Sequence, residues 1–398
     1  MDITIYPNKL QGQINAIPSK SQAHRLLICA AFSDGATDLA CIETNADIEA
    51  TVSCLNALGA QIIRTKFGYH VLPVQSVPQF ARLDCGESGS TLRFMLPIVC
   101  ALGVNATIHM SGRLPYRPLS PLWEELCRMG CELSRPTENI ICTSGQLLPG
   151  EYTVAGNISS QFMTGLLFAL SMLNGKSRIN ITGELESKPY VLMTLDTLSL
   201  FGVKVDNYKI EGSLPFQTPG SIQVEGDWSN AAFFITAAAL GNKVRVHNLD
   251  PHSSQGDRAI IDILENTNRP SVISARDIPD IIPILAVYFA VNGGAVFTDI
   301  GRLRLKESDR VASVISLLNA LGIPSNATDT TLTVYSGRYG SGIVDACNDH
   351  RIAMAASIAA TLADGPVTIL GAECVAKSYP AFWEDYKRLG GKYEQYIR

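Results

Sequence analysis

Charge is scarce in this chain and balanced in sign. Among 398 residues, 32 Lys and Arg face 37 Asp and Glu, a net charge of −5 with neutral His. No global positive field exists to draw in nucleic acid or an acidic membrane, so any anion site must be local. Aromatic residues make up 7% and are not interleaved with basic ones, which again disfavours a nucleic-acid surface. Long apolar runs are missing too. The stretches from Phe162 to Leu173, Ala231 to Leu240 and Ile281 to Val291 all fall short of the ~20 residues of a membrane span. The segment Met1 to Gly12 carries no basic stretch followed by an apolar one, so a secretory signal is not expected and a cytoplasmic location is.

Metal patterns are equally thin. Ten Cys residues include no Cys-x-x-Cys, and six His include no His-x-x-x-His. Cys127 and Cys131 are four apart on an expected helix, without a further pair to complete a zinc site. Buried thiols such as Cys29, Cys54 and Cys100 suit a reducing compartment. No structural zinc is expected.

What the chain does have is a repeat. An amphipathic helix ends in an apolar residue followed by Gly at Leu58-Gly59, Met129-Gly130, Phe201-Gly202, Leu321-Gly322 and Leu389-Gly390. The markers recur about every 70 residues, except for one interval of about 120 between Gly202 and Gly322. That long interval is best read as two units, the first having lost a hairpin near Ile263 to Arg269. Six units follow, the last closing on the N-terminal strand. Ile48, Val52, Leu55 and Leu58 form one helical stripe, and Val311, Ile315, Leu318 and Leu321 another. The segments from Thr331 to Tyr335 and from Ser177 to Ile181 alternate like half-buried strands. An α/β (α+β) protein with helices packed inside sheet walls is expected. With 46% apolar residues and six units, two lobes are expected, one from 1–19 plus 227–398 and the other from 20–226.

Polar clusters stand where extended segments give way to helices. The first is Ser19-Lys20-Ser21-Gln22-Ala23-His24-Arg25. A helix N-terminus supplies free N–H groups and a positive dipole end, hydroxyls add donors, and Lys20 and Arg25 add full charge, which is equipment for a phosphate. A Ser-capped helix with solvated basic residues reads the same way. Comparable clusters occur at Glu87 to Arg93, Arg113 to Arg117, Ser159 to Gln161, Ser187 to Tyr190, Arg302 to Arg310 and Asn348 to Arg351. Gly86 and Gly89 would let an anion approach the backbone. Glu307 and Arg310 are three apart and so share a helix face, either as an ion pair or as an anion clamp with a proton donor. Asp280 is either a cap or, facing basic groups, a general base.

Taken in order, these motifs carry a resemblance that runs nearly end to end. Ser-Lys-Ser-x-x-x-Arg at 19–25, Ser-Gly-Ser-x-x-Arg at 88–93, Arg117-Pro118, Ser159-Ser160-Gln161 and Ser187-Lys188-Pro189-Tyr190 are part of it. The others are Val224 to Asp227, Ile278-Pro279-Asp280, Lys306 to Arg310, Asn348 to Arg351 and Ala376-Lys377. The chain thereby resembles the 3-phosphoshikimate 1-carboxyvinyltransferase (5-enolpyruvylshikimate-3-phosphate synthase) family of enolpyruvyl transferases. The resemblance implies a two-lobed inside-out α/β barrel of six βαβαββ repeats, three per lobe, the fourth shortened here, with the site in the cleft between lobes that close on substrate. It implies transfer of the enolpyruvyl group of phosphoenolpyruvate to the 5-hydroxyl of shikimate 3-phosphate with release of phosphate, a step of aromatic amino-acid biosynthesis. A monomer acting on these two small molecules, with no metal or organic cofactor, is expected.

Residue by residue, the resemblance assigns shikimate 3-phosphate to Lys20, Ser21, Arg25, Ser159, Ser160, Gln161, Ser187, Tyr190, Asp280 and Lys306. It assigns phosphoenolpyruvate to Lys20, Gly89, Arg117, Gln161, Arg310, His350, Arg351 and Lys377. Asp280 would accept the hydroxyl proton and Glu307 would protonate the vinyl carbon, with Lys20 as partner in proton movement. Two positions depart from the family pattern: Glu87 stands where Asn is common, beside the glycine of the phosphoenolpyruvate pocket, and Arg302 stands where Asn is frequent. The sister family that uses UDP-N-acetylglucosamine carries a reactive Cys shortly before the Arg matching Arg117, and the stretch Ser111 to Tyr116 has none. A paralogue that binds the same metabolites without turnover is the remaining alternative.

Overall fold

The computed structural model describes residues 1–266 and 271–396. Two compact units divide the chain, Pro18–Glu225 and Met1–Ile17 with Gly226–Arg398.

Pro18–Glu225 contains helices α1 (Lys20–Ala31), α2 (Ala46–Ala57), α3 (Gly89–Leu102), α4 (Leu122–Arg128), α5 (Ser160–Met172) and α6 (Lys188–Leu200). Its three sheets have four strands each. One is ordered Phe80–Asp84, Asn105–His109, Ile140–Gly145, Cys131–Thr137, and a second Glu151–Ala155, Gly175–Thr182, Lys209–Gly212, Val205–Asp206. The third runs Ser221–Gln223, Thr37–Ala40, Gly68–Leu72, Gln61–Arg64, so the last strand of the unit completes its first sheet. In every one the first pair is parallel and the rest are antiparallel. A right-handed crossover through a helix is the ordinary way to join the parallel pair, and a hairpin the ordinary way to join the outer pair. The βαβαββ repeat that the resemblance implies is therefore the unit of construction, on the period that the glycine spacing marks.

The other unit contains α7 (Trp228–Ala239), α8 (Ile260–Glu265), α9 (Ile282–Ala290), α10 (Arg310–Ala320), α11 (His350–Ala360) and α12 (Phe382–Arg388). Two of its sheets repeat the four-stranded order: Ser271–Ser274, Ala295–Thr298, Thr331–Val334, Ser325–Ala327, and Gly342–Asp345, Val367–Leu370, Asp2–Tyr6, Lys392–Tyr396. The second takes in the N-terminal strand, as expected. The sheet of Lys243–His247 with Gln11–Asn15 has two parallel strands among the described residues. It belongs to the shortened fourth repeat. Residues 267–269 of the stretch where the hairpin loss is expected lie outside the described residues.

The five marker glycines do the same job. Leu58, Met129, Phe201, Leu321 and Leu389 are the C-caps of α2, α4, α6, α10 and α12. The glycine after each has φ between 79° and 110°, where a Cβ would be strained. That is why the repeat is written in Gly and remains visible in the sequence.

Each unit encloses central helices almost completely. All nine residues of α9 and all eleven of α11 are buried, and α5 exposes little beyond Gln161. Helices α3 and α5 approach closely at Gly165, where a Cβ would strike the Arg93 carbonyl and lie 2.7 Å from Pro97 Cγ. Pro97 lacks the N–H that would normally bond the carbonyl of residue 93, so a proline and a glycine bring the two helices together. Cys131 begins a strand, correcting the expectation that it shares a helix with Cys127. No helix of the described residues is long and apolar enough to cross a membrane.

Candidate active site

The leading helix of each repeat in Pro18–Glu225 opens on a serine cap. Ser19, Ser88 and Ser159 accept from the backbone N–H groups of Gln22, Thr91 and Gln161 at 3.4, 3.2 and 3.3 Å. A neutral cap leaves the positive end of the helix available to an anion. Ser187, expected to cap α6, makes no such bond and sits in the left-handed region at φ 53°.

Around these openings the candidate residues are already held. Lys20 Nζ lies 2.9 Å from Asp47 Oδ2, with both side chains about 15% exposed. Arg25 is buried and donates from Nε to Thr194 at 2.9 Å, and from its other nitrogens to Ser21 O, Thr164 Oγ1 and Tyr190 O at 2.6, 3.2 and 2.9 Å. Thus Ser21, Arg25 and Tyr190 come together, with α1, α5 and α6 supplying partners. Gln161 Nε2 donates to Ser90 Oγ at 2.9 Å, joining the α5 entrance to that of α3. A Cβ on Gly89 would lie 2.6 Å from Arg117 Nη1 and 2.8 Å from Arg93 Nη1. Two guanidinium groups therefore press on this position, and any side chain there would have to displace them. Ser160 is the first residue of α5 and buried.

Below them runs a hydroxyl chain from His24 Nδ1 to Thr51 Oγ1 at 2.7 Å, on to Thr91 at 2.8 Å and Ser88 at 2.7 Å. Burial, with Lys20 and Arg25 nearby, holds the His24 imidazole well below its ordinary pKa and so neutral.

In the other unit the caps are acidic. Asp227, Asp309 and Asp349 cap α7, α10 and α11. Helix α9 has no side-chain cap. Asp280, two residues before it, turns its Oδ1 to Arg310 Nη1 at 2.6 Å and Lys306 Nζ at 3.4 Å, and its Oδ2 lies 3.7 Å from Arg351 Nη2. That outcome removes the cap reading. Arg310, 1% exposed, also donates from Nη2 to Glu307 Oε2 at 2.7 Å and from Nε to Asp349 Oδ2 at 2.9 Å. Glu307 lies outside the helix, which begins at Arg310, so the pair forms across the entrance and not along a helix face. Burial alone would raise the Asp280 carboxyl, but Lys306, Arg310 and Arg351 outweigh it and hold it well below the usual carboxylate range. Burial also pulls the Lys306 ammonium down, with Asp280 opposing.

Arg351 donates from Nη1 to Asn230 Oδ1 at 3.4 Å, and Asn230 Nδ2 donates to Ser378 at 3.0 Å. His350 is buried at the first turn of α11, and Lys377 Nζ donates to Asn348 O at 3.0 Å. Asp257 is raised to about 7, chiefly by burial and then by the charge of Asp280, against the opposing bond from Ser229.

Each unit thus presents cations and hydroxyls at helix entrances, and one of them adds three carboxylates on a shared guanidinium. A family model described as EPSP synthase (3-phosphoshikimate 1-carboxyvinyltransferase) matches residues 5–386. The chain belongs to the EPSP synthase family. A protein named 3-phosphoshikimate 1-carboxyvinyltransferase from Clostridium beijerinckii is 37% identical over 431 residues, covering 99% of each chain. One of the same name from Clostridium acetobutylicum is 38% identical over 417 residues, covering 98% of this chain and 97% of that one. Among solved structures, EPSP synthase from Acinetobacter baumannii superposes with a TM-score of 0.78 at 25% identity, covering 99% of this chain and all of that one. The enolpyruvyl transferase NikO from Streptomyces tendae matches with a TM-score of 0.77 at 18% identity over 99% of this chain and 98% of that one, a likeness of fold.

Several residues that shape these sites are not among the sequence candidates. Asp47 pairs with Lys20, Ser90 holds Gln161, Arg93 backs Gly89, and Asp257 feels Asp280. Ser90 and Arg93 lie inside the cluster that drew attention at 87–93. Asp47 and Asp257 had no local signal, since their partners are 27 and 23 residues away in sequence.

Proposed function

We propose that this member of the EPSP synthase family transfers the enolpyruvyl group of phosphoenolpyruvate to the 5-hydroxyl of shikimate 3-phosphate. The observation that carries the reading is Arg310, a buried cation bonded at once to Asp280, Glu307 and Asp349. The reaction needs a base for the hydroxyl, an acid for the vinyl carbon and cations for two anionic substrates. That one guanidinium gathers the first two requirements around the third.

In the proposed sequence Asp280 takes the proton of the 5-hydroxyl as its oxygen attacks C2 of phosphoenolpyruvate, and Glu307 delivers a proton to C3. The C–O bond to phosphate then breaks, the phosphate leaving with the hydroxyl proton held by Asp280, while Glu307 takes a proton back from the new methyl group and the vinyl ether forms. Lys20, at the capped entrance of α1, serves as partner in that proton movement. Ionised Asp280 is ready to accept in the empty site. An anion that engages Arg310 and Lys306 lessens their hold on Asp280 and raises its proton affinity.

Lys20, Ser21, Arg25, Ser159, Ser160, Gln161, Ser187, Tyr190, Asp280 and Lys306 are proposed for shikimate 3-phosphate. Lys20, Gly89, Arg117, Gln161, Arg310, His350, Arg351 and Lys377 are proposed for phosphoenolpyruvate. Both sets serve one substrate pair in this reading, and no metal takes part. The absence of Cys from Ser111 to Tyr116 favours it over a UDP-N-acetylglucosamine acceptor. Turnover in deuterated water tests it, because a methyl-bearing intermediate places deuterium on the vinyl carbon. Glu307→Gln should lose both product and exchange, and exchange at the wild-type rate would remove Glu307 from the step.

A further inference from the structure

Glu87 is a carboxylate that the proposed reaction leaves without a task. It lies in the turn between Asp84 and Gly89, half-buried, two residues before the glycine on which Arg93 and Arg117 press. Across from that turn runs the segment 111–118, which carries Arg117. Three backbone or side-chain ties join turn and segment. Ser111 N–H donates to Gly86 O at 2.8 Å, Arg93 Nη2 donates to Pro118 O at 3.0 Å, and the Arg117 guanidinium reaches Gly89. A fourth contact belongs to Glu87. Gly112 has φ 55°, and a Cβ placed on it would fall onto the Glu87 carboxyl group. The carboxyl thus occupies the volume that a side chain at position 112 would need.

We propose that Glu87 is a positioning residue. Its carboxyl group, seated on Gly112, fixes the course of 111–117 and thereby the place at which Arg117 meets Gly89. The physical reason is packing: two segments tied at their ends still differ in path between the ties, and a close side-chain-to-backbone fit selects one path. The fit between the two is one of shape: the carboxyl fills the space that the missing side chain of Gly112 leaves. The role of Arg117 toward phosphoenolpyruvate rests on the function proposed above, whereas the contact between Glu87 and Gly112 does not.

Two kinds of measurement separate these. Steady-state phosphate release is compared for wild type, Glu87→Ala, Glu87→Gln, Gly112→Ala and the Glu87→Ala/Gly112→Ala double variant. Glu87→Ala is expected to raise KM for phosphoenolpyruvate about tenfold, with kcat and KM for shikimate 3-phosphate within about twofold of wild type. Glu87→Gln, of nearly the same shape, should stay within about threefold of wild type throughout. Gly112→Ala should reproduce the Glu87→Ala shift in KM and, because φ 55° strains any side chain there, also lower the melting temperature; adding it to Glu87→Ala should lower the melting temperature again but change KM little further, because the carboxyl it would strike is gone. An unchanged KM in Glu87→Ala, a Gln variant as impaired as the Ala one, or additive effects in the double variant would each overturn the proposal. Hydrogen exchange of the 111–117 amides supplies a readout independent of catalysis. Faster exchange in Glu87→Ala with an unchanged melting temperature supports the contact even if wild type fails to release phosphate, an outcome that would sink the proposed reaction and not this inference. Unchanged exchange would overturn it.

Discussion

Arg310 Nη1 stands 2.6 Å from Asp280 Oδ1 while its Nη2 stands 2.7 Å from Glu307 Oε2, so one buried guanidinium bridges the two carboxylates on which the proposed chemistry depends. An arginine can hold both because its donors diverge in a rigid fork, which a lysine ammonium lacks. The remaining edge of Arg310 is fixed by Asp349, which also caps α11 and accepts from Ser308 at 3.0 Å. The arrangement is built on helix entrances from different repeats, and each part restrains the others.

Asp280→Asn should abolish turnover, with a loss of about 10³-fold or more, while shikimate 3-phosphate still binds. The substitution preserves shape and one acceptor oxygen but removes the base. Calorimetric binding beside a rate assay checks both halves, and a rate near that of wild type would take Asp280 out of the mechanism.

Asp257 should make stability fall as pH rises from about 4 to about 7. Its folded carboxyl is raised to about 7 by burial and by Asp280, whereas an unfolded one titrates near 4. Between those values the folded state binds the extra proton, so each step upward in pH favours unfolding. Asp280 acts oppositely: its depressed value stabilises the fold above about 4 and loses that contribution as pH drops further. Urea midpoints of wild type and Asp257→Asn at pH 4.5 and 7 decide the matter, and the variant should lack the decline.

Gly89→Ala should raise KM for phosphoenolpyruvate about tenfold or more. The new methyl would sit 2.6 Å from Arg117 Nη1 and 2.8 Å from Arg93 Nη1, so both guanidinium groups must move. Position 89 is the first residue of α3, and its backbone need not change, so the melting temperature should shift little. An unaltered KM would show that Arg117 is not used for this substrate.

Arg25→Lys should cost about 2–3 kcal/mol of stability, because four donor contacts to Thr194, Ser21, Thr164 and Tyr190 cannot be remade by an ammonium group. Chemical denaturation reads this directly. A change under about 0.5 kcal/mol would mean that the fork is not holding α1, α5 and α6 together.

The repeat was legible because its marker obeys a local rule: a helix that ends in the left-handed region selects glycine, and five such glycines sit at five helix ends. The polar entrances were legible for a similar reason, since Ser19, Ser88, Ser159 and Asp349 cap helices whose apolar faces are plain in sequence. What local pattern could not supply was the direction of each side chain. Asp280 and Asp227 both precede helices, yet Asp227 caps α7 while Asp280 turns to Arg310, a choice set by residues 30 positions away. The pairing of Lys20 with Asp47 and the crossing of α3 and α5 at Pro97 and Gly165 are likewise products of tertiary packing.

The central claim is tested most directly by following phosphate release from phosphoenolpyruvate with shikimate 3-phosphate as acceptor, beside a parallel reaction with UDP-N-acetylglucosamine. The account predicts release with the shikimate ester and none with the sugar nucleotide. Release with the sugar nucleotide alone, or saturable binding of shikimate 3-phosphate without any release, would contradict it.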